Sequence, residues 1–94
     1  MFTKAEKKPF YDSKKYRLLA DYANYCEVVS LKSGHFWRLR VEEGEMVLYH
    51  KYTKGSGYHV QCRPATVQSA EKKIMKHDSY VRKYARWKIM RQNL

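Results

Sequence analysis

The sequence predicts an α+β domain, in which an antiparallel four-stranded meander sheet has a C-terminal helix packed on one face and a short N-terminal helix. Three observations lead to this fold class. Four short runs with alternating side chains lie between residues 25 and 63, glycine-containing turns separate them, and a run with helical spacing follows Pro64. Alternation with a period of two indicates strands with one buried face, whereas a period near 3.6 indicates an amphipathic helix.

The chain divides into an arm and one domain. Residues 1–9 are polar and rich in lysine, and we expect a flexible basic arm that buries too little surface to order itself. Residues 10–94 are expected to form a single α+β domain, because a chain of 94 residues is long enough for only one core.

Residues 14–23 predict the short N-terminal helix. Asp12 or Ser13 can cap its first turn, because both side chains accept hydrogen bonds from free backbone amides. Its apolar residues recur at helical spacing, at Tyr16, Leu19, Ala20 and Ala23. The stretch from Tyr16 to Leu19 also fits an extra edge strand, and the pattern leaves that alternative open.

The turns between the strands set the register of the sheet. Ser33-Gly34 and Glu43-Gly44 are two-residue connections, and glycine there supplies the positive φ that tight hairpins need. The third connection, Thr53–Gly57, is longer and also contains glycine. The four predicted strands are Tyr25–Lys32, His35–Glu42, Glu45–Tyr52 and Tyr58–Arg63.

This register sorts the side chains onto two faces of the sheet, because neighbouring strand residues point to opposite sides. One face is mostly apolar and should form the core; it holds Cys26, Val28, Ser30, Trp37, Leu39, Val41, Met46, Leu48, His50, Tyr52, Tyr58, Val60 and Cys62. The outer face mixes cations with rings, at Phe36, Arg38, Arg40, Tyr49, Lys51, His59 and Arg63. Rings flanked by cations suit single-stranded nucleic acid, although a solvated sheet face carries the same residue types.

The C-terminal third predicts a basic helix. Thr66 can cap it, and an apolar stripe that includes Val67, Ile74 and Val81 should lie on the sheet, with a kink or a break around residues 77–79. The basic candidates for nucleic-acid binding on this helix are Arg82, Lys83, Arg86 and Arg91. The helix also has a second stripe, which consists of Tyr80, Tyr84 and Trp87. This stripe leaves three alternatives open, namely packing within the domain, a homodimer contact or stacking on bases.

Charge indicates the class of partner. Lysine and arginine number 20 against 9 acidic residues, which gives a net charge of +11, and the excess is largest in the C-terminal third. Such a charge favours polyanionic partners. We therefore expect a non-catalytic protein that binds DNA or RNA through the outer sheet face and the basic helix. The alternative is an interaction or inhibitory module that binds an acidic protein.

Spacing gives no indication of a metal, a cofactor or an enzyme. His59 and Cys62 are three residues apart in a strand and point to opposite faces, and no CxxC or HxxxH pattern occurs. His50 and His77 are interpreted as buried or half-buried imidazoles. Acidic residues cluster at a hairpin tip rather than in a cleft. We expect Cys26 to lie too far from Cys62 for a disulfide, since three strand spacings separate them by about 14 Å.

Hydropathy gives no indication of a membrane segment. The chain has no run of 18 or more apolar residues, and its lysine-rich beginning lacks the apolar stretch of a secretory signal. A cytoplasmic location with no membrane partner is the resulting expectation.

Overall fold

The α+β class is confirmed by a computed structural model that describes the backbone of residues 2–92 and the side chains of residues 2–83. An antiparallel sheet of five strands pairs in the order β1-β2-β3-β4-β5. The elements are α1 (Lys4–Lys7), a 3-10 turn (Lys8–Tyr11), β1 (Tyr16–Tyr22), β2 (Tyr25–Ser30), β3 (Phe36–Glu42), β4 (Glu45–Lys51), β5 (His59–Cys62) and α2 (Val67–Gln92).

The sheet has five strands because residues 16–22 form β1 rather than a helix. The predicted helix over residues 14–23 is wrong, and the extra edge strand is what forms. β1 pairs with β2 through a hairpin in which Tyr22 lies opposite Tyr25. Pairing with a neighbouring strand overrides the local helical spacing, and of the residues that suggested a helix only Tyr16 is buried, while Leu19 stays exposed.

The start of the chain packs onto the core. The sequence predicts a flexible arm over residues 1–9, but the structure forms α1 there, with a capping box in which Thr3 and Glu6 bond each other's backbone amide. Phe2 belongs to the hydrophobic core, and its amide donates to the carbonyl oxygen of Ala23 at 2.9 Å. The Lys7 ammonium, which is nearly buried, pairs with the carboxylate of Asp21 on β1.

The β3–β4 hairpin has the predicted register, with Glu42 opposite Glu45. The β2–β3 hairpin does not, because residues 31–34 connect its strands instead of Ser33-Gly34 alone, and Phe36 lies opposite Val29 rather than Leu31. A shift of two residues keeps every side chain on its predicted face.

Leu39 lies between Cys26 on β2 and Leu48 on β4, so three apolar side chains line up across the inner face. At the β3–β4 turn, Glu43 has φ 52° and Gly44 has φ 76°. Two consecutive positive φ values are the conformation that matches the twist of a tight hairpin.

β5 differs from the prediction because its pairing with β4 contains a bulge. Cys62 faces Leu48, but the next pair is Val60 with Tyr49, so one residue of β5 is left over. A bulge of one residue moves the side chains beyond it to the opposite face of the sheet. His59 therefore lies opposite His50, and its predicted place on the outer face is wrong.

The bulge also corrects the predicted core. Val60 is 45% exposed, so its assignment to the buried face is wrong. Tyr58, which was predicted to point inward, instead bonds Glu27 on the outer side of the sheet. The central core is confirmed: Trp37, Leu39, Leu48 and Ile74 are buried together, and Val81 is half-buried.

α2 crosses the inner face of the sheet as one continuous helix. The Thr66 cap is confirmed, since its hydroxyl accepts from the amide of Ser69 at 3.0 Å. The predicted break around residues 77–79 does not form, and the Asp78 side chain bonds the Ser30 hydroxyl on β2 instead of capping a new helix. No helix within the described residues is long and apolar enough to cross a membrane.

Candidate nucleic-acid interface

The outer face of the sheet is organised around the carboxylate of Glu27. Tyr58 donates to its Oε1 at 2.6 Å, and Tyr25 donates to its Oε2. The Arg38 guanidinium lies 3.8 Å from the same Oε2. Burial raises the pKa of Glu27, but the two tyrosine hydroxyls and the nearby cations outweigh burial and hold its pKa below the usual range.

Cations and rings alternate over this carboxylate. Arg38 lies 4.0 Å above the centre of the Tyr58 ring, which is close enough for a cation–π contact. Lys51 lies 4.7 Å from the centre of the same ring and 4.8 Å from the centre of the Phe36 ring. Phe36, one of the rings that the sequence offers for stacking on bases, is thus already covered by a cation of the same face.

The remaining cations of the outer face also have acidic neighbours. Arg40 lies 3.5 Å from Glu42, whose carboxylate also accepts from the Tyr49 hydroxyl at 2.7 Å. Arg63 lies 3.5 Å from Glu45. The predicted residues Phe36, Arg38, Arg40, Tyr49, Lys51 and Arg63 do share one surface, and His59 does not.

The outer face is therefore partly compensated. Four of its cations, Arg38, Arg40, Lys51 and Arg63, lie beside the glutamates Glu27, Glu42 and Glu45 or the rings between them. The exposed Arg17 of β1 lies opposite Val29 on the same face, so five cations and three glutamates leave two positive charges in excess. Such a compensated layer holds the strands together. A polyanion would have to compete with carboxylates that already occupy the same cations.

The solvent side of α2 carries uncompensated charge. Val67, Ala70 and Ile74 are buried against the sheet, and the residues on the opposite side of the helix are exposed. At 100° per residue, the exposed lysines Lys72, Lys76 and Lys83 fall within about 40° of one another around the helix axis. We call this row the lysine stripe, and the exposed cations Lys73 and Arg82 flank it on either side.

Acidic side chains are withdrawn from this surface. Between residues 67 and 83 the helix contains two acidic residues, Glu71 and Asp78. Asp78 is 3% exposed and bonds Ser30, and Glu71 is half-buried. The exposed surface of the helix over this range is therefore basic only.

The sequence predicts only part of the basic helix surface. Arg82 and Lys83 are exposed as predicted, whereas the side chains of Arg86 and Arg91 lie outside the described residues. Tyr80, the first member of the predicted dimer stripe, is 70% exposed, and the side chains of Tyr84 and Trp87 are also outside the described part. Lys72 and Lys76 were not singled out. Their positions opposite the Val67–Ile74 stripe could have identified them.

The histidines form a separate group at one end of the inner face. His50 is buried and His77 is half-buried, in agreement with their interpretation from the sequence. One ring nitrogen from each of His35, His50 and His77 lies within 4.8 Å of the others. The His59 ring lies 5.2 Å from that of His50.

Comparison with models of protein families, with curated proteins and with solved structures found no match to this chain.

Proposed function

We propose that this protein binds nucleic acid without catalysis, mainly through the lysine stripe of α2. The observation that carries the proposal is a helix surface with five exposed cations, Lys72, Lys73, Lys76, Arg82 and Lys83, and with one acidic residue buried, Asp78, and the other half-buried, Glu71. An exposed row of cations on a rigid helix is the electrostatic footprint of a protein that contacts phosphates.

The spacing along the helix supports several simultaneous phosphate contacts. Lys72 and Lys76 are four residues apart, and Lys83 follows seven residues later, which corresponds to rises of about 6 Å and about 10.5 Å along the axis. Each lysine that reaches a phosphate releases a condensed counterion, and the affinity then depends steeply on salt. Phosphate contacts alone give little sequence preference, so the proposal is for binding with low sequence specificity.

The outer sheet face has a smaller role in this proposal. Its cations lie against glutamates, and Arg38 has a side chain that is only 29% exposed. Arg40 is the better probe of this face, because its side chain is 46% exposed and its partner Glu42 is also accessible. If the sheet contributes one phosphate contact, Arg40→Gln lowers the salt slope by about one unit.

The test is an anisotropy titration against single- and double-stranded DNA and RNA at about 50 mM and about 200 mM salt. The triple variant Lys72→Gln, Lys76→Gln and Lys83→Gln should bind more weakly and lower the magnitude of the salt slope by about 2.7 units on B-form DNA, if all three contact phosphates. Folding of the variant is checked by circular dichroism and thermal unfolding.

A matched control separates the surface from the total charge. Lys4→Gln, Lys14→Gln and Lys54→Gln remove the same three charges from exposed positions scattered over other parts of the protein. The control should retain most of the affinity. Equal losses in the two triple variants would contradict a site on α2, because only net charge would then matter. An absence of binding to all four nucleic acids at about 50 mM salt would contradict nucleic-acid binding itself and favour the acidic-protein alternative.

A further inference from the structure

We propose that His35, His50 and His77 form a binding site for a divalent transition-metal ion of the zinc type. The three residues come from the turn before β3, from β4 and from α2, so the fold brings together residues that are 15 and 27 positions apart in the sequence. The site is distinct from the lysine stripe, and the two proposals can fail separately.

The distances are close to those of a coordinated ion. One ring nitrogen from each histidine lies within 4.8 Å of the other two, and His35 Nδ1 is 2.9 Å from His50 Nε2. Two nitrogens bound to one tetrahedral zinc ion, each at 2.0–2.1 Å, are about 3.3 Å apart. Side-chain shifts on the order of 1 Å convert the observed cluster into three zinc ligands.

The imidazoles are in the protonation state that a metal requires. Burial lowers the pKa of His50 to about 4, and the neighbouring histidines lower it further. Burial also lowers the pKa of His35 and of His77. Neutral imidazole is the form that binds metal ions. The proton between His35 Nδ1 and His50 Nε2 would move to another ring nitrogen when both of these atoms coordinate.

Buried polar atoms without partners surround the cluster. Nδ1 of His50 and Nδ1 of His77 have no hydrogen-bond partner within the described residues, although His50 is 1% exposed. Oδ1 of Asp78 is also buried without a partner, next to His77 in the chain. Asp78 forms no ion pair within the described part of the chain, and a divalent cation would compensate its carboxylate.

The surroundings hold the rings in place and leave one side accessible. The Trp37 ring lies 4.3 Å from that of His50 and 5.0 Å from that of His77. His59 is exposed, and its ring centre is 5.2 Å from that of His50. Three histidines with an open fourth position are the ligand set of zinc sites that keep a water molecule.

The test is calorimetric titration of the tag-free protein with Zn²⁺ in a buffer that does not chelate metals. We expect one saturable site with a Kd below about 10 μM. Closed structural zinc sites bind much more tightly than this limit. His35→Gln and His77→Gln should each raise the Kd at least tenfold, because loss even of a group that only orients a ligand weakens metal binding by about 10- to 100-fold. Cys62→Ser is the matched control and should bind as the unsubstituted protein does.

A second measurement does not depend on how the variants fold. Addition of one equivalent of Zn²⁺ to the unsubstituted protein should shift the ring-nitrogen NMR signals of His35, His50 and His77, and EDTA should restore them. A cluster that only fills the core predicts no saturable binding below about 100 μM and unchanged ring signals. Either of these results, or Zn²⁺ affinities in the histidine variants equal to that of the unsubstituted protein, would overturn the proposal.

Discussion

Removal of the Tyr58 hydroxyl tests the outer layer of the sheet. In Tyr58→Phe, Glu27 loses a 2.6 Å hydrogen bond, while the ring remains in place under Arg38. A hydrogen bond to a charged group contributes about 1.5–3 kcal/mol to stability. The Glu27 side chain is 15% exposed, so water replaces part of the lost bond and we expect the lower part of this range, about 1.5–2 kcal/mol.

This loss should depend on pH in a defined direction. The folded-state pKa of Glu27 is below its ordinary value, so its ionised form contributes stability above the unfolded-state pKa of about 4.3. That contribution is lost as the pH falls through the lower folded-state pKa. The difference in stability between the unsubstituted protein and Tyr58→Phe should therefore be largest near neutral pH and shrink below about pH 4.

The assay is urea unfolding followed by circular dichroism at pH 7 and at pH 3, together with thermal melts. For a domain of 94 residues, 1.5–2 kcal/mol corresponds to a decrease in Tm of about 8–10 °C. Tyr49→Phe is the matched control, because its partner Glu42 has a side chain that is 37% exposed, and its loss should stay below about 1 kcal/mol. Equal stabilities of Tyr58→Phe and the unsubstituted protein at pH 7 would refute the reasoning.

Three substitutions and one labelling experiment test the core, the turn and the thiols. Leu48→Ala should lose about 2–5 kcal/mol in chemical denaturation, because Leu48 is 0% exposed, whereas Val60→Ala, at a position 45% exposed, should stay within about 0.5 kcal/mol. A small loss of stability in Leu48→Ala together with a large loss in Val60→Ala would contradict the bulge in β5. Gly44→Ala should lose about 1–2 kcal/mol in the same assay, since φ is +76° there, and an unchanged midpoint would contradict this turn. A thiol reagent should leave Cys26 unmodified in the native protein, because burial raises its pKa to about 12, and should react first at the half-buried Cys62. Faster native labelling of Cys26 would be inconsistent with its burial.

Local patterns predicted the centre of the sheet because the turns there are specified by short signals. Glu43-Gly44 fixes the register of β3 against β4, and the observed pairs of Arg38 with Tyr49 and Phe36 with Lys51 follow from it. The Ser33-Gly34 signal locates the β2–β3 turn and the faces of both strands, but the connection is four residues long and the register differs from the prediction by two residues. The bulge in β5 was not predictable in the same way. Its single extra residue depends on how β5 fits against β4, and no glycine or proline within β5 marks the position.

Contacts between residues far apart in sequence decide two features that local patterns do not predict. Residues 16–22 have apolar residues at helical spacing, and pairing with β2 decides their structure instead. The histidine cluster combines residues from a turn, a strand and a helix, so spacing rules for metal ligands, which compare residues near in sequence, could not find it. The basic surface of α2 was predictable in principle, because the positions of Lys72 and Lys76 follow from helical geometry alone.

The strand order has a consequence for how the chain folds. Every strand pairs with its neighbour in sequence, so the whole sheet forms by successive local hairpins, and proteins dominated by local contacts fold rapidly. The docking of α2 closes much longer loops, such as the one between Ser30 and Asp78, which are 48 positions apart. During synthesis the sheet can assemble before α2 is available, and its inner face, with Trp37 and Leu48, then stays open to solvent until the helix arrives. A slow or truncated α2 would leave that face free to associate with other chains, so aggregation of the nascent protein should depend on α2 more than on any strand.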